Sequence, residues 1–419
     1  MKKRILFIVL WSMSFNLIAQ ESITLQQCFE SAIVNHPIYI QKELKAMNSD
    51  LETENLKKDL LPQFMVNGKA TYQSEVISLP FDIPGMDVPE LSKDQYRLSL
   101  DVNQVIYRGG LYQKQRELEA HQQILEQLDV DKNLYYLKND VKAIFFAIIL
   151  LDEQKNIVES YQQRLNVKLE EIKSLVDEGV ALESATDRIK VEQLEVEQRL
   201  SEISIQRQSF MDNLQLLTKM DLSEVKELLV TPVNLEVQEQ QRLEYTYMTA
   251  AQSTLEYSKQ LINVQKLPKL SAFASGGYGR PGFNYLSDEF DDFLMVGVNL
   301  QWKILNWNKF NNQKKMLDIQ IQTIASQKED FQLNINLALG KMMSEIVKWE
   351  DLLQKDPEMI QLRGNVVKNA SHQLKQGMIT TSAYIDELQK LSQAEINMKI
   401  HEIQLISSKL DYLNILGKL

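Results

Sequence analysis

The sequence predicts a mainly α protein with a small β part, long coiled-coil helices carrying four strands, and three observations support this. The first is a duplication. Shifting the earlier half by 198 puts Gly179 on Gly377, Ser184 on Ser382 and Ile148 on Ile346, and a shift of 206 superposes Leu61-Pro62 on Leu267-Pro268 and Tyr72 on Tyr278. A constant offset over long stretches means helices of equal length in both copies. The second is apolar spacing of three and four over runs too long for a compact domain, and the third is a period of two in short segments that read as strands.

The chain opens with Lys2, Lys3 and Arg4, an apolar run from Ile5 to Phe15 and a polar stretch to Gln20. This predicts a secretory signal peptide over 1–20, cut after Ala19 or Gln20. The net charge of -11 becomes -14 once those three cations leave, which excludes nucleic acid as a partner. One cysteine, Cys28, excludes an intrachain disulfide and a cysteine metal cluster. Past the leader no apolar stretch is long enough for a transmembrane helix, so any membrane contact must use strands.

The first repeat is expected over 21–220. It begins with a helix from about Thr24 to Leu60, slowed at His36-Pro37 and ended by Leu61-Pro62, because proline pushes the residue before it out of helical geometry. A β-hairpin follows over about 63–106, with a proline-rich loop at its far end. Phe64, Val66, Ala70 and Tyr72 form one face of its first strand, and Tyr96, Leu98, Leu100 and Val102 form one face of the second. The opposite faces carry Asn67, Lys69, Thr71, Arg97, Ser99, Asp101 and Asn103. These seven residues are expected to face water inside a pore. Strands of this length suit a tilted crossing of a hydrocarbon layer.

A helix of roughly 67 residues, on the order of 100 Å at 1.5 Å per residue, should run from Gly110 to Val176. Glycine ends it at Gly179 and a shorter helix returns over about 182–220. After a linker at 221–235, the second repeat over 236–419 does the same. It has a helix from about Leu235 to Lys266, a hairpin over about 268–304, a long helix with its tip near Gly377 and a return over 380–416. The short helices should stack in pairs to match each long one. Asp356-Pro357 inside the second long helix predicts a kink or restart, with Asp356 as its cap.

Aromatic residues gather at both ends of the strands, with Tyr72 and Tyr96 near the loops and Tyr107, Trp302 and Trp307 at the other end. Two such belts suit the two headgroup layers of a membrane. Four strands cannot close a barrel and would leave open edges in lipid. Three chains would supply twelve strands, whereas eight would give a barrel filled by its own side chains.

The doubled Leu61-Pro62-Gln63-Phe64 and Leu267-Pro268-Lys269-Leu270, the junction Val105-Ile106-Tyr107-Arg108-Gly109-Gly110 and the tips at Gly179 and Gly377 together resemble the TolC family of outer-membrane efflux channels. The resemblance covers nearly all of the chain after the leader. It implies a homotrimer with a 12-stranded β-barrel in outer-membrane lipid and a 12-helix tunnel across the periplasm of a Gram-negative bacterium. It also implies docking of a periplasmic adaptor (membrane fusion protein) at Glu178, Gly179, Val180 and Ala181 and at Gln376, Gly377, Met378 and Ile379. An inner-membrane pump of RND or ABC type would supply the energy. The family's pair of entrance aspartates falls here on Ala383 and Asp386, so one of the two is missing.

His36, His121, His372 and His401 are scattered without metal-ligand spacing, and no catalytic constellation stands out, so neither an enzyme nor a cofactor is expected. The competing expectation is a periplasmic coiled-coil scaffold or chaperone that forms no pore. It accounts for the helices and the acidic charge but not for the two-faced strands.

Overall fold

The computed structural model describes residues 22–77, 91–225, 227–230, 235 and 240–419. The leader expected at 1–20, the loop containing Pro80, Pro84, Gly85 and Pro89, and part of the expected linker lie outside the described residues. Element order is β1 (Ser22–Thr24), α1 (Leu25–Asn35), α2 (Gln41–Lys58), β2 (Gln63–Tyr72), β3 (Asp94–Tyr107), α3 (Leu111–Asp177), α4 (Glu183–Thr218), β4 (Glu227–Leu229), α5 (Leu243–Val264), β5 (Lys269–Arg280), β6 (Asp291–Gln301), α6 (Lys309–Lys375) and α7 (Thr381–Leu416).

The duplication is written into the backbone. α3 and α6 are both 67 residues long and α4 and α7 both 36, and a shift of 198 carries 111 to 309, 177 to 375, 183 to 381 and 218 to 416. Positive φ angles obey the same rule. Gly109 corresponds to Trp307, Gly110 to Asn308, Gly179 to Gly377 and Lys219 to Gly417, so left-handed backbone recurs at each junction even where the residue is not glycine.

The chain folds as two compact units, which are not the two copies. Among the described residues, one unit falls within Met1–Tyr39, Asn133–Arg242 and Ile335–Leu419, the other within Ile40–Lys132 and Leu243–Asn334. In the first, Thr24 caps α1 through a reciprocal box with Gln27, and α1 buries Leu25, Cys28, Phe29 and Ala32 on one stripe. These side chains join Val141, Phe145, Phe146 and Ile148 of α3 in one core. Burial pushes the Cys28 thiol up to about 11, so it acts as a small apolar side chain. A second core joins Tyr161, Leu165 and Ile172 of α3 to Ile189 and Val196 of α4, Ala370 and Leu374 of α6, and Ile385 and Leu388 of α7.

The second unit holds a four-stranded antiparallel sheet in the order β2-β3-β5-β6. Each repeat contributes one hairpin, and β3 and β5 join them. Among its helices, α2 is tied to α3 by Lys45–Glu126 (3.1 Å) and α5 to α6 by Lys259–Asp318 (2.6 Å). His121 of α3 stacks on Tyr257 of α5 at 3.9 Å.

Several expectations need correction. The N-terminal helix is not continuous from Thr24 to Leu60, because His36 before Pro37 is extended (ψ 135°) and α2 restarts only at Gln41. The helix expected from Leu235 begins at Leu243. The Gln241 amide instead donates to the Leu416 carbonyl at 2.8 Å and the Arg242 guanidinium to the Asn414 carbonyl at 2.9 Å, holding this segment against the end of α7. The short helices therefore do not add up to the long ones, since α4 and α5 have 36 and 22 residues against 67. The expected linker contains β4, which pairs in parallel with β1, two strands of three residues each and too short to show a period. Finally, α6 runs through Pro357 without restarting. Asp356 is not a cap; its carboxylate meets His401 Nδ1 of α7 at 2.8 Å, so packing against α7 holds the turn that lacks an amide donor.

Candidate functional site: a two-faced sheet and paired helical tips

Register decides which side chains share a face, since partners directly opposite project to the same side. Val66 lies opposite Leu100 and Phe64 opposite Val102, Leu98 meets Tyr278, and Ala274 and Ala272 meet Val296 and Val298. One face of all four strands is therefore apolar. It is also open, with Leu294 at 74 %, Val296 at 70 %, Val298 at 69 % and Leu300 at 66 % exposure. Exposed contiguous apolar surface of this extent marks a contact with lipid or with another chain.

The other face brings together all seven residues expected to meet water. Asn67 lies opposite Ser99, Lys69 opposite Arg97, Thr71 opposite Gln95, Met65 opposite Asp101 and Gln63 opposite Asn103. Asp101 accepts from Asn67 (2.5 Å), Ser99 (3.1 Å) and Ser275, which knits three strands across this face. Lys69 and Arg97 would repel as direct neighbours. The Arg97 guanidinium lies over the rings of Phe293 (4.8 Å) and Phe283 (5.5 Å). Gly277 is required beside this cluster, because a Cβ there would come within 2.6 Å of the Phe293 ring and 2.2 Å of the Leu98 carbonyl.

The aromatic residues fall at the two ends of the sheet. Tyr72 and Tyr96 stand at the loop end, where Phe290 stacks between Tyr96 (6.2 Å) and Tyr278 (5.6 Å). Tyr107, Trp302 and Trp307 stand at the helix end, exposed, with the Trp302 indole donating to the Lys266 carbonyl at 3.1 Å.

At the other site, in the first unit, both tips are Schellman turns. The amide of Val180 donates to Leu175 (2.8 Å) and that of Gly179 to Val176 (2.9 Å); Met378 donates to Gln373 (2.9 Å) and Gly377 to Leu374 (3.0 Å). Glu178, Gly179, Val180 and Gln376, Gly377, Met378 are exposed. A cavity of about 370 Å³ between the two tips is lined by Val180, Ala181, Gly377 and Ile379, with Arg188 as the one charged side chain among its lining residues. Thr380 caps α7 by accepting from the Ala383 amide at 3.2 Å. Asp386, one turn further, is exposed and borders a separate cavity of about 540 Å³ with Tyr161 and Gln389.

Two features escaped the sequence reading. Glu192 is buried, with one carboxylate oxygen receiving Tyr161 (2.7 Å) and Gln389 (2.8 Å), so it links α3, α4 and α7 behind the tips. Burial, then the bond to Glu192, pushes the pKa of the Tyr161 phenol above the ordinary tyrosine value, so it stays protonated as a donor. The glutamate sits in a helix of many surface glutamates, and nothing local marks it out. The second is a concentration of cations where strands meet helices, which the acid-free stretches at 102–116, 257–287 and 293–317 could have revealed.

Among the described residues no cluster of three or more histidine, cysteine, aspartate or glutamate side chains could hold a metal, and no helix is long and apolar enough to cross a membrane. No protein-family model and no curated protein matches the chain. Solved structures do. The outer membrane protein VceC of Vibrio cholerae superposes with a TM-score of 0.67 at 13 % identity, covering 94 % of this chain and 96 % of its own. The CmeC outer membrane channel of Campylobacter jejuni gives 0.65 at 13 %, covering 94 % and 85 %, and the MtrE outer membrane channel of Neisseria gonorrhoeae gives 0.60 at 12 %, covering 94 % and 88 %. Likeness at this identity concerns the backbone, and on that ground the chain has the fold of the TolC-like outer-membrane channels.

Proposed function

We propose that this chain forms the outer-membrane channel of a tripartite efflux or secretion system, a passive trimeric duct reaching into the periplasm. The carrying observation is the sheet with one open apolar face, one polar face and two edge strands unpaired among the described residues. In water such a sheet would expose apolar surface and free backbone groups together; in a closed lipid-embedded barrel both are satisfied. The fold shared with outer membrane channels supports the same reading. A pore-free periplasmic scaffold leaves the apolar face without a role.

The duplication also supports a homotrimer and indicates how its copies pair. Within each hairpin the register is conserved, since Gln63 opposite Asn103 becomes Lys269 opposite Gln301 under shifts of 206 and 198. The β3–β5 pairing places Asp101 opposite Ser275. Carrying Asp101 forward by 198 and Ser275 back by 206 sets Asn299 of β6 opposite Lys69 of the partner subunit. The first copy thus supplies the template for the contact that closes the ring.

In this reading the turns Glu178–Ala181 and Gln376–Ile379 and the groove between them receive a periplasmic adaptor, which recruits an inner-membrane RND or ABC-type pump. Asp386 near the tips contributes charge at the periplasmic entrance, where Ala383 offers none. Replacing Asp386→Asn is expected to change single-channel conductance or its block by multivalent cations in planar bilayers; identical values for both would remove Asp386 from the entrance. The channel itself is tested by fractionation. A heat-modifiable trimer in purified outer membranes is expected, and a detergent-free soluble monomer in the periplasmic fraction would overturn the proposal.

A further inference from the structure

We propose that the polar face of the sheet ends, where strands give way to helices, in a cationic collar that binds small phosphate- or carboxylate-bearing anions and makes the channel prefer anions. This rests on the channel reading above and adds the charge class of what passes.

A cavity of about 800 Å³ at this level is lined by Arg108, Lys269, Lys303 and Lys309 and by no carboxylate. None of the four forms an ion pair among the described residues, whereas Lys114 and Lys259 nearby are neutralised by Glu117 and Asp318, each at 2.6 Å. The imbalance runs against the whole molecule, which has 57 acidic and 46 basic residues. The stretches 102–116, 257–287 and 293–317 that build the junction hold no acid.

Part of the cavity wall belongs to the polar face of the sheet. Lys269 lies opposite Gln301, and both belong to the face that carries Ser271, Asn299 and Asp101. Leu111 and Lys309, the first residues of α3 and α6, also line the cavity, so the positive ends of two long helices add to the side-chain charge. The acids on this face do not compensate. Asp101 is already engaged by three donors, and Asp291 stands at the far end of β6, opposite Gly279. A ring of unpaired Lys and Arg in a confined aqueous pore concentrates anions, and three copies would repeat it around one axis.

The test uses the full-length trimer in planar bilayers under a KCl gradient, with reversal potential as the readout. Wild type is expected to pass chloride over potassium, and the preference should shrink between about 0.1 M and 1 M salt as the screening length falls from roughly 10 to 3 Å. Lys269→Gln/Lys303→Gln/Lys309→Gln should lower the chloride-to-potassium ratio several-fold and weaken block by added tripolyphosphate by on the order of tenfold. The corresponding triple Arg variant, which keeps the charge, should behave as wild type. Cation preference in wild type, or an unchanged ratio in a trimeric Gln variant, would overturn the collar while leaving the channel intact. A stable trimer that never conducts would instead overturn the channel reading, and the collar with it.

Discussion

Val296→Arg should abolish assembly in the outer membrane, whereas Met295→Arg, one residue away, should leave a trimer. Val296 lies opposite Ala274 on the open apolar face near the middle of β6, and Met295 lies opposite Ser275 on the polar face. A single arginine on the lipid face at bilayer mid-depth costs about 2–4 kcal/mol, and a trimer carries three. If the copies contribute independently, the total is on the order of 6–12 kcal/mol, comparable to the stability of a typical domain. The luminal arginine stays hydrated and changes only the charge of the pore. The measurement is the amount of heat-modifiable trimer in isolated outer membranes. Equal trimer yields from the two variants would mean that the apolar face does not meet lipid. A pore-free scaffold predicts the opposite trend, because an exposed arginine in place of an exposed valine favours solubility.

A second large effect is expected from a cysteine pair across the proposed subunit boundary. In a Cys28→Ser background, Asn299→Cys with Lys69→Cys should give covalently linked trimers on non-reducing gels after mild oxidation. Asn299→Cys with Thr71→Cys, two residues out of register on the same face, should link poorly. The expectation follows from the duplication, because the β3–β5 register inside the chain becomes the β6–β2 register between chains. A disulfide tolerates only a narrow range of Cα separations, so a shift of two strand residues is resolved. Preferential linking of the Thr71 pair, or no linking in an intact trimer, would show that subunits pair in a register different from that of the repeats.

Much of the molecule was legible because its signals are periodic or doubled. The seam from Leu134 through Val141, Ile148 and Leu165 is buried as the three-and-four spacing requires. The alternating residues Asn67, Lys69, Arg97, Ser99 and Asp101 fall on one face. Signals confined to a few residues failed. β1 and β4, each three residues long, exist only because they find one another across more than 200 positions. Pro357 reads locally as a break, yet α6 continues through it beside the Asp356–His401 contact.

The sequence by itself determined the repeat, the two faces of each strand, the lengths of the long helices and the glycine tips, because each depends on the chemistry of neighbouring residues along the chain. Tertiary structure alone decided that the two hairpins form one continuous sheet, that Glu192 is buried between three helices, and that Arg108, Lys269, Lys303 and Lys309 line a single cavity. Those outcomes bring distant residues together, and no local period or propensity records which distant partner a side chain will meet.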